Sequence, residues 1–363
     1  MNIAGQITGI KYKIRLSEDL KEIAIKDFDI NTSPTACILK DNTHSFAISK
    51  WLSPKRTRSY PFERVYNTLN ISKKITVIPI VKDEGQKGDR DYLQWDTISL
   101  MSLLDIFVIF AYYADAEKDG LKITNQQFDN DYVLSKIKEI ENYHSSALHW
   151  NLDELNTNLH NVIDKVKLNY AKIETKTGVK LHNERGLDNF KRKIGKDVSL
   201  FMDFSREKAE KAQSREFVTL QPKESLSTLS KAKVTITNYL GGKYFLTVDE
   251  ILIENSTLYL IEGKHSKNAI LPAKSDIKDG LLKMILYSNL LNVTSNGNSV
   301  KSKAVLSLTS VKLNGAINSN STKTELNLFF VENNLSKAQI NLIETLISEA
   351  QENNFIVKIQ YSK

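Results

Sequence analysis

The longest apolar run of the chain, ISLMSLLDIFVIFAYYA from Ile98 to Ala114, has to leave water, and how it does so decides the class of the molecule. It is 17 residues long and is interrupted by Asp105 and by Ser99 and Ser102. A bilayer-spanning helix needs roughly 20 apolar residues. The pattern therefore predicts a helix buried in a protein core. The rest of the chain can supply that core, since 41% of its 363 residues are hydrophobic and only 14 glycines and 6 prolines dilute them. That balance excludes wholesale disorder and a collagen-like repeat. The N-terminal MNIAGQITGIKYKIRL alternates polar and apolar residues with no continuous apolar block, so it does not read as a signal peptide, and a cytoplasmic protein is expected.

Charge narrows the partners. Fifty lysines and arginines against 43 acids leave a net charge of +7, which favours nucleic acid or an anionic surface over an acidic protein ligand. The apolar run has no polybasic amphipathic neighbour, which disfavours a membrane surface. The single cysteine, Cys37, excludes an internal disulfide framework and a thiolate metal cluster.

Short apolar runs around Ile10, Ile25 and Ile38 predict a strand-rich start, and Ile75 to Val81 predicts a further strand. Residues from Asn125 to about Ile173 carry apolar positions at helical spacing. The stretch Lys172 to Asp197 holds eight basic and four acidic residues and is read as a solvated connection. Three parts follow: 1–171 for recognition or support, 172–197 as a basic connection, and 198–363 as the chemical core. In that last part a helix running into an extended segment is expected over Leu226 to Tyr239. Strands are expected at Tyr244–Glu254, Thr257–Lys264, Lys303–Leu308, Glu325–Val331 and around Ile356. Helices are expected at Ile277–Leu291 and Ser336–Glu349. Strands and helices mixed in this way predict an α/β or α+β fold.

The stretch that carries chemistry is GGKYFLTVDEILIENSTLYLIEGKHSK, from Gly241 to Lys267. Asn255-Ser256 reads as a tight turn, so the Asp249 region folds back beside Glu262 and Lys264. Those two share one face of a strand because side chains alternate. Two carboxylates and an ammonium at the end of an apolar hairpin need a partner. A hard divalent cation suits them, with Asp249, Glu262 and the Gly263 carbonyl as oxygen ligands. Mg2+ held there would polarise a phosphate and acidify a bound water, while Lys264 orients or helps deprotonate that water or meets developing charge. Glu250 competes with Asp249 for the first ligand position, and only a strand register can choose between them.

Asp249, twelve intervening residues and then Glu262-Gly263-Lys264 resemble the PD-(D/E)XK nuclease motif, with Val248 where that family places a proline. The resemblance implies a mixed central sheet flanked by helices, with an N-terminal α+β region added. It implies metal-binding roles for Asp249 and Glu262 and a nucleophile-assisting role for Lys264. It also implies an upstream acid, for which Glu224 is the candidate with Glu216 behind it. The following helix offers Lys283 and Tyr287 four residues apart, on one face, where related nucleases place phosphate-contacting groups. His265 and Lys267 adjoin the motif, and Lys55, Arg56 and Arg58 in SPKRTRSYPFERVYNTL are further candidate contacts to DNA. Residues 53–113 are diffusely similar to segments of type II restriction endonucleases.

The expectation is thus a magnesium-dependent type II deoxyribonuclease acting on double-stranded DNA. Cutting both strands implies a homodimer or a pair assembled on DNA, and the restriction role implies a prokaryotic cytoplasm and a companion DNA methyltransferase. The alternatives are a structure-specific repair or defence nuclease and a non-catalytic DNA-binding protein. Asp83, Glu84, Asp89, Arg90 and Asp91 form a rival acidic turn. It lacks an acid-X-lysine pair, and its groups are expected to pair with the basic segment or to position the two halves.

Overall fold

A computed structural model describes residues 1–41, 44–54, 61–194, 200–201, 203, 232–238 and 243–362. The chain forms two compact units: Met1–Glu18 with Ala209–Lys363, and Asp19–Lys208. The first is therefore discontinuous, with the second inserted near its N-terminus. This differs from the division read from sequence, because the first eighteen residues belong with the C-terminal part.

The reason lies in what those residues bond. In the discontinuous unit, β1 (Asn2–Ile7) runs parallel to β2 (Ala232–Asn238), pairing Asn2 with Lys233 through Ile7 with Asn238. Beyond it, Arg15 and Leu16 each donate a backbone N–H to Glu349 at 3.0 Å, and Tyr12 Oη donates to the same carboxylate at 3.0 Å. Glu349 is fully buried, so these donors offset the cost of taking its charge out of water.

Further along the chain come β3 (Lys243–Val248), β4 (Glu250–Glu254), β5 (Thr257–Ser266), α1 (Lys274–Ser288), β6 (Leu291–Ser295), β7 (Asn298–Ser299) and β8 (Lys301–Ser310). They are followed by β9 (Ala316–Asn318), α2 (Lys323–Glu332), α3 (Lys337–Glu352) and β10 (Ile356–Tyr361). One sheet has the order β3-β2-β1-β6-β7 and the other β4-β5-β8-β10-β9. In the second, β4 and β5 form an antiparallel hairpin, β5 and β8 are parallel, and β8 and β10 are parallel. Helix α1 lies between the parallel partners β5 and β8 in the chain and packs on both.

Two sequence expectations in this unit change. The strand expected over Tyr244–Glu254 breaks at Asp249, and its halves join different sheets. Glu325–Val331, expected as a strand, is helical. Thr322 and Glu325 close a capping box there, and Phe329 and Phe330 are its buried residues. The Asn255-Ser256 turn is as expected, both residues having positive φ (46° and 61°). Of Leu226–Tyr239, only Ala232–Asn238 lies among the described residues, as β2.

The continuous unit is built on a sheet in the order Glu22–Ala24, Ala36–Lys40, Ser45–Lys50, Lys74–Pro79 and Ile106–Ala111. The apolar run is not one helix. It is the end of a helix, Trp95–Leu103, then Asp105 at φ 55°, then the fully buried strand IFVIFA. An aspartate with positive φ ends the helix, and the β-branched and aromatic residues after it fill an interior strand. Among the described residues, no helix is long and apolar enough to cross a membrane. Residues 172–197 are not a bare connection. Helix Leu159–Thr177 ends at Gly178 in the left-handed region, and helix Arg185–Ile194 buries Leu187, Phe190 and Ile194. Around Ile10 there is no strand, since β1 ends at Ile7.

Candidate active site

The register of the β4–β5 hairpin decides which carboxylates meet. Glu250 pairs with Ile261 and Ile251 with Leu260. Directly opposed residues share a face, so Glu250 points with Ile261, away from the face of Leu260, Glu262 and Lys264. Asp249, at the bend between the two sheets, reaches β5 instead, its Oδ2 accepting the Gly263 N–H at 3.0 Å. In an extended strand the N–H and C=O of one residue leave by the same edge, so the Gly263 carbonyl also faces the Asp249 side. The bend thus brings Asp249, Glu262 and Gly263 together and leaves Glu250 apart.

Glu262 is 1% exposed, yet its carboxylate is well supplied with charge. Lys283 Nζ on α1 lies 2.8 Å from each oxygen, and Lys264 Nζ lies 3.0 Å from Oε1. Lys264 also donates to Asp279 Oδ2 at 2.6 Å. Burial raises the Glu262 carboxyl above the usual range; Asp249 adds to this and the lysines oppose it. For Lys264, burial works against the charge but is outweighed by Glu262 and Asp279, so the ammonium is held above its ordinary value. Lys283 follows the same logic: burial is overcome by Glu262, Tyr287 and Asp249, and it is raised well above that value. Both lysines are therefore cations at neutral pH.

Helix α1 delivers this second layer because Asp279, Lys283 and Tyr287 recur every four residues on the side facing β5. Gly280 lets the helix approach: a Cβ there would lie 2.6 Å from Leu306 Cδ1 and 3.4 Å from Lys264 Cε. The Tyr287 hydroxyl is buried without a hydrogen-bond partner among the described residues. Burial pushes its phenol far up.

Other sequence candidates are placed differently. Lys283, expected to meet DNA, turns inward onto Glu262 because that buried carboxylate needs a counter-charge. His265 lies on the opposite face of β5 from Glu262 and Lys264, its Nδ1 2.9 Å from Thr309 Oγ1. Lys267 is exposed just past the end of β5. Lys55, Arg56, Arg58, Glu216 and Glu224 lie outside the described residues. Asp279 was missed by sequence reading, although its position four residues before Lys283 is a signal for the same helix face.

The oxygens present suit a hard ion: an exposed carboxylate, a buried one and a strand-edge carbonyl. The unpartnered Tyr287 hydroxyl beside them is a polar group that a hydration shell would satisfy. Asp249, Glu262 and Gly263 are thus the oxygen donors that could hold a divalent cation here, which would have to share Glu262 with Lys283 and Lys264.

The rival acidic turn has its own partners. Asp83 is fully buried and accepts from Gly85 N at 2.9 Å and Arg90 Nε at 2.7 Å, and its Oδ1 lies 2.8 Å from His182 Nδ1. Arg90 also donates to the carbonyls of His182 and Asn183. The turn is thus tied to the basic segment. In the same unit Asp41, His44 and Glu141 bring ligand-type atoms within 4.8 Å of one another, with His44 Nδ1 2.7 Å from Glu141 Oε1. That cluster is formed by a hairpin turn and the end of helix Asn130–Glu141. No family model, no curated protein and no solved structure matches the chain.

Proposed function

We propose that the chain is a magnesium-dependent deoxyribonuclease of the PD-(D/E)XK kind, acting on double-stranded DNA in the manner of a type II restriction endonuclease. The observation that carries this reading is the bend at Asp249, which brings its carboxylate to the Gly263 N–H of the Glu262-Gly263-Lys264 strand. Support also comes from the surroundings, an antiparallel hairpin continued through α1 into a parallel strand.

The reaction is hydrolysis: a water oxygen adds to phosphorus, the bond from phosphorus to a sugar oxygen breaks, and the proton lost by the water is returned through solvent to the released sugar oxygen. Asp249, Glu262 and the Gly263 carbonyl would hold Mg2+, which when bound supplies Lewis acidity toward phosphate and water. The chain's own groups do the rest. Asp249 is held through one oxygen by the Gly263 N–H, which leaves its second oxygen for the ion. Lys264, held as a cation, is placed to meet negative charge developing on the phosphate, not to take a proton. Helix α1 covers Glu262 and keeps bulk water from its carboxylate.

A role in restriction carries with it a prokaryotic cytoplasm, a homodimer or DNA-assembled pair, and a companion methyltransferase. One observation favours a second reading, a DNA-binding protein without catalysis: Lys283 already engages both Glu262 oxygens, which a purely structural ion network would also do. Digestion of plasmid and phage DNA with and without Mg2+ separates the readings. Discrete fragments that need Mg2+ and disappear in Asp249→Asn support the nuclease. Asp249 is exposed, so the variant is expected to fold.

A further inference from the structure

Lys264 has one more acidic neighbour than metal binding requires. An ammonium has three donors on a flexible stem. One faces Glu262 Oε1 at 3.0 Å and a second faces Asp279 Oδ2 at 2.6 Å. Among the described residues the third has no partner. Two fixed acceptors on opposite elements, β5 and α1, define where Nζ sits and leave one N–H for an incoming oxygen. The stem of Lys264 runs past Gly280, where a Cβ would lie 3.4 Å from Lys264 Cε. The side chains of Lys264 and Asp279 are 17% and 23% exposed, so water screens this pair less than a surface pair.

The charge of the group points the same way. Asp249, Glu262 and Asp279 face Lys264 and Lys283, leaving one negative charge. A divalent cation and one phosphodiester anion together cancel it. Asp279 is the member that sets this balance without touching Glu262.

Building on the nuclease reading, we infer that Asp279 is a positioning residue: together with Glu262 it fixes the Lys264 ammonium between β5 and α1 and so presents the remaining N–H to the scissile phosphate. With Asp279 gone, Lys264 keeps only Glu262, which it shares with Lys283, and its head group is free to swing.

The test uses the full chain with Asp279→Asn, Asp279→Ala and Asp279→Glu, each checked for folding by circular dichroism. Two quantities are read: kcat and KM for plasmid cleavage in Mg2+, and the rate of reductive methylation of Lys264, followed by peptide mass spectrometry. The inference predicts that Asp279→Asn lowers kcat by about 100-fold with KM within about threefold. It also predicts that Lys264 loses its protection from methylation and that Asp279→Glu restores much of both. Asp279→Asn is nearly isosteric, so it reports on charge even if the alanine variant fails to fold. Wild-type kcat in folded Asp279→Asn, or unchanged Lys264 protection, overturns the positioning role while leaving the nuclease reading intact. Wild-type protein that never cuts sinks the nuclease reading itself, and with it the catalytic sense of the contact.

Discussion

Glu262 is 1% exposed with ammonium groups at 2.8 and 3.0 Å, which sets it apart from the surface ion pairs of the chain. An exposed pair contributes about 0–1 kcal/mol, whereas removing one partner of a buried pair leaves a stranded charge and costs about 3–5 kcal/mol. Glu262→Ala is therefore expected to destabilise the discontinuous unit by about 3 kcal/mol or more. Glu262→Leu combined with Lys283→Met should recover most of that loss. Urea unfolding of the single and double variants measures the coupling, and equal losses in both would contradict the pairing. Much at this scale was legible in sequence: Asp249, Glu262 and Lys264 are chemically distinctive residues at a strand's alternation. The choice of Asp249 over Glu250 was not, since it depends on hairpin register and on a bend that moves the chain between sheets. Asp279 and the inward turn of Lys283 were hidden for a similar reason, because they depend on how α1 is rotated against β5.

Helix α1 is where element packing and chemistry meet. Alanine is ordinarily favoured over glycine in a helix by about 1 kcal/mol. At Gly280 the balance reverses, because the new Cβ would lie 2.6 Å from the Cδ1 of the fully buried Leu306. Overpacking of this kind costs about 1–3 kcal/mol. Gly280→Ala is expected to lower the thermal midpoint, and to lower it less when introduced on a Leu306→Ala background, where the new methyl group has room. A rise in the midpoint for Gly280→Ala alone would show that the helix stands further from β8 than described. Elements with long periodic patterns, such as α1 and α3, were legible to within a few residues. Two apolar stretches were not. Glu325–Val331 became helix because a capping box starts it, and Ile98–Ala114 became helix and strand because Asp105 turns the chain. In both, local polar residues outweighed the hydrophobic pattern.

At the scale of the whole molecule, sequence order misleads most. The first eighteen residues belong to the unit that carries Asp249, Glu262 and Lys264, separated from it by the inserted unit. Pairing between distant strands leaves no local signature, so composition could not reveal it. Ile7 is fully buried on β1, between β2 and β6. Ile7→Ala is expected to destabilise the discontinuous unit by about 2–5 kcal/mol, like other large core truncations. Hydrogen exchange should show faster opening in β2 and β6, with the strand Ile106–Ala111 of the other unit unchanged. Exchange altered only in the inserted unit would contradict the assignment of β1. The central claim, that this unit hydrolyses DNA, is tested most directly by digesting unmethylated phage and plasmid DNA with wild type, Asp249→Asn and Lys264→Met, each with Mg2+ and with EDTA. Fragments are expected from the wild type in Mg2+ alone and none from either folded variant. Folded wild type that binds this DNA yet leaves it intact in Mg2+ and Mn2+, or variants that cut as the wild type does, would contradict it.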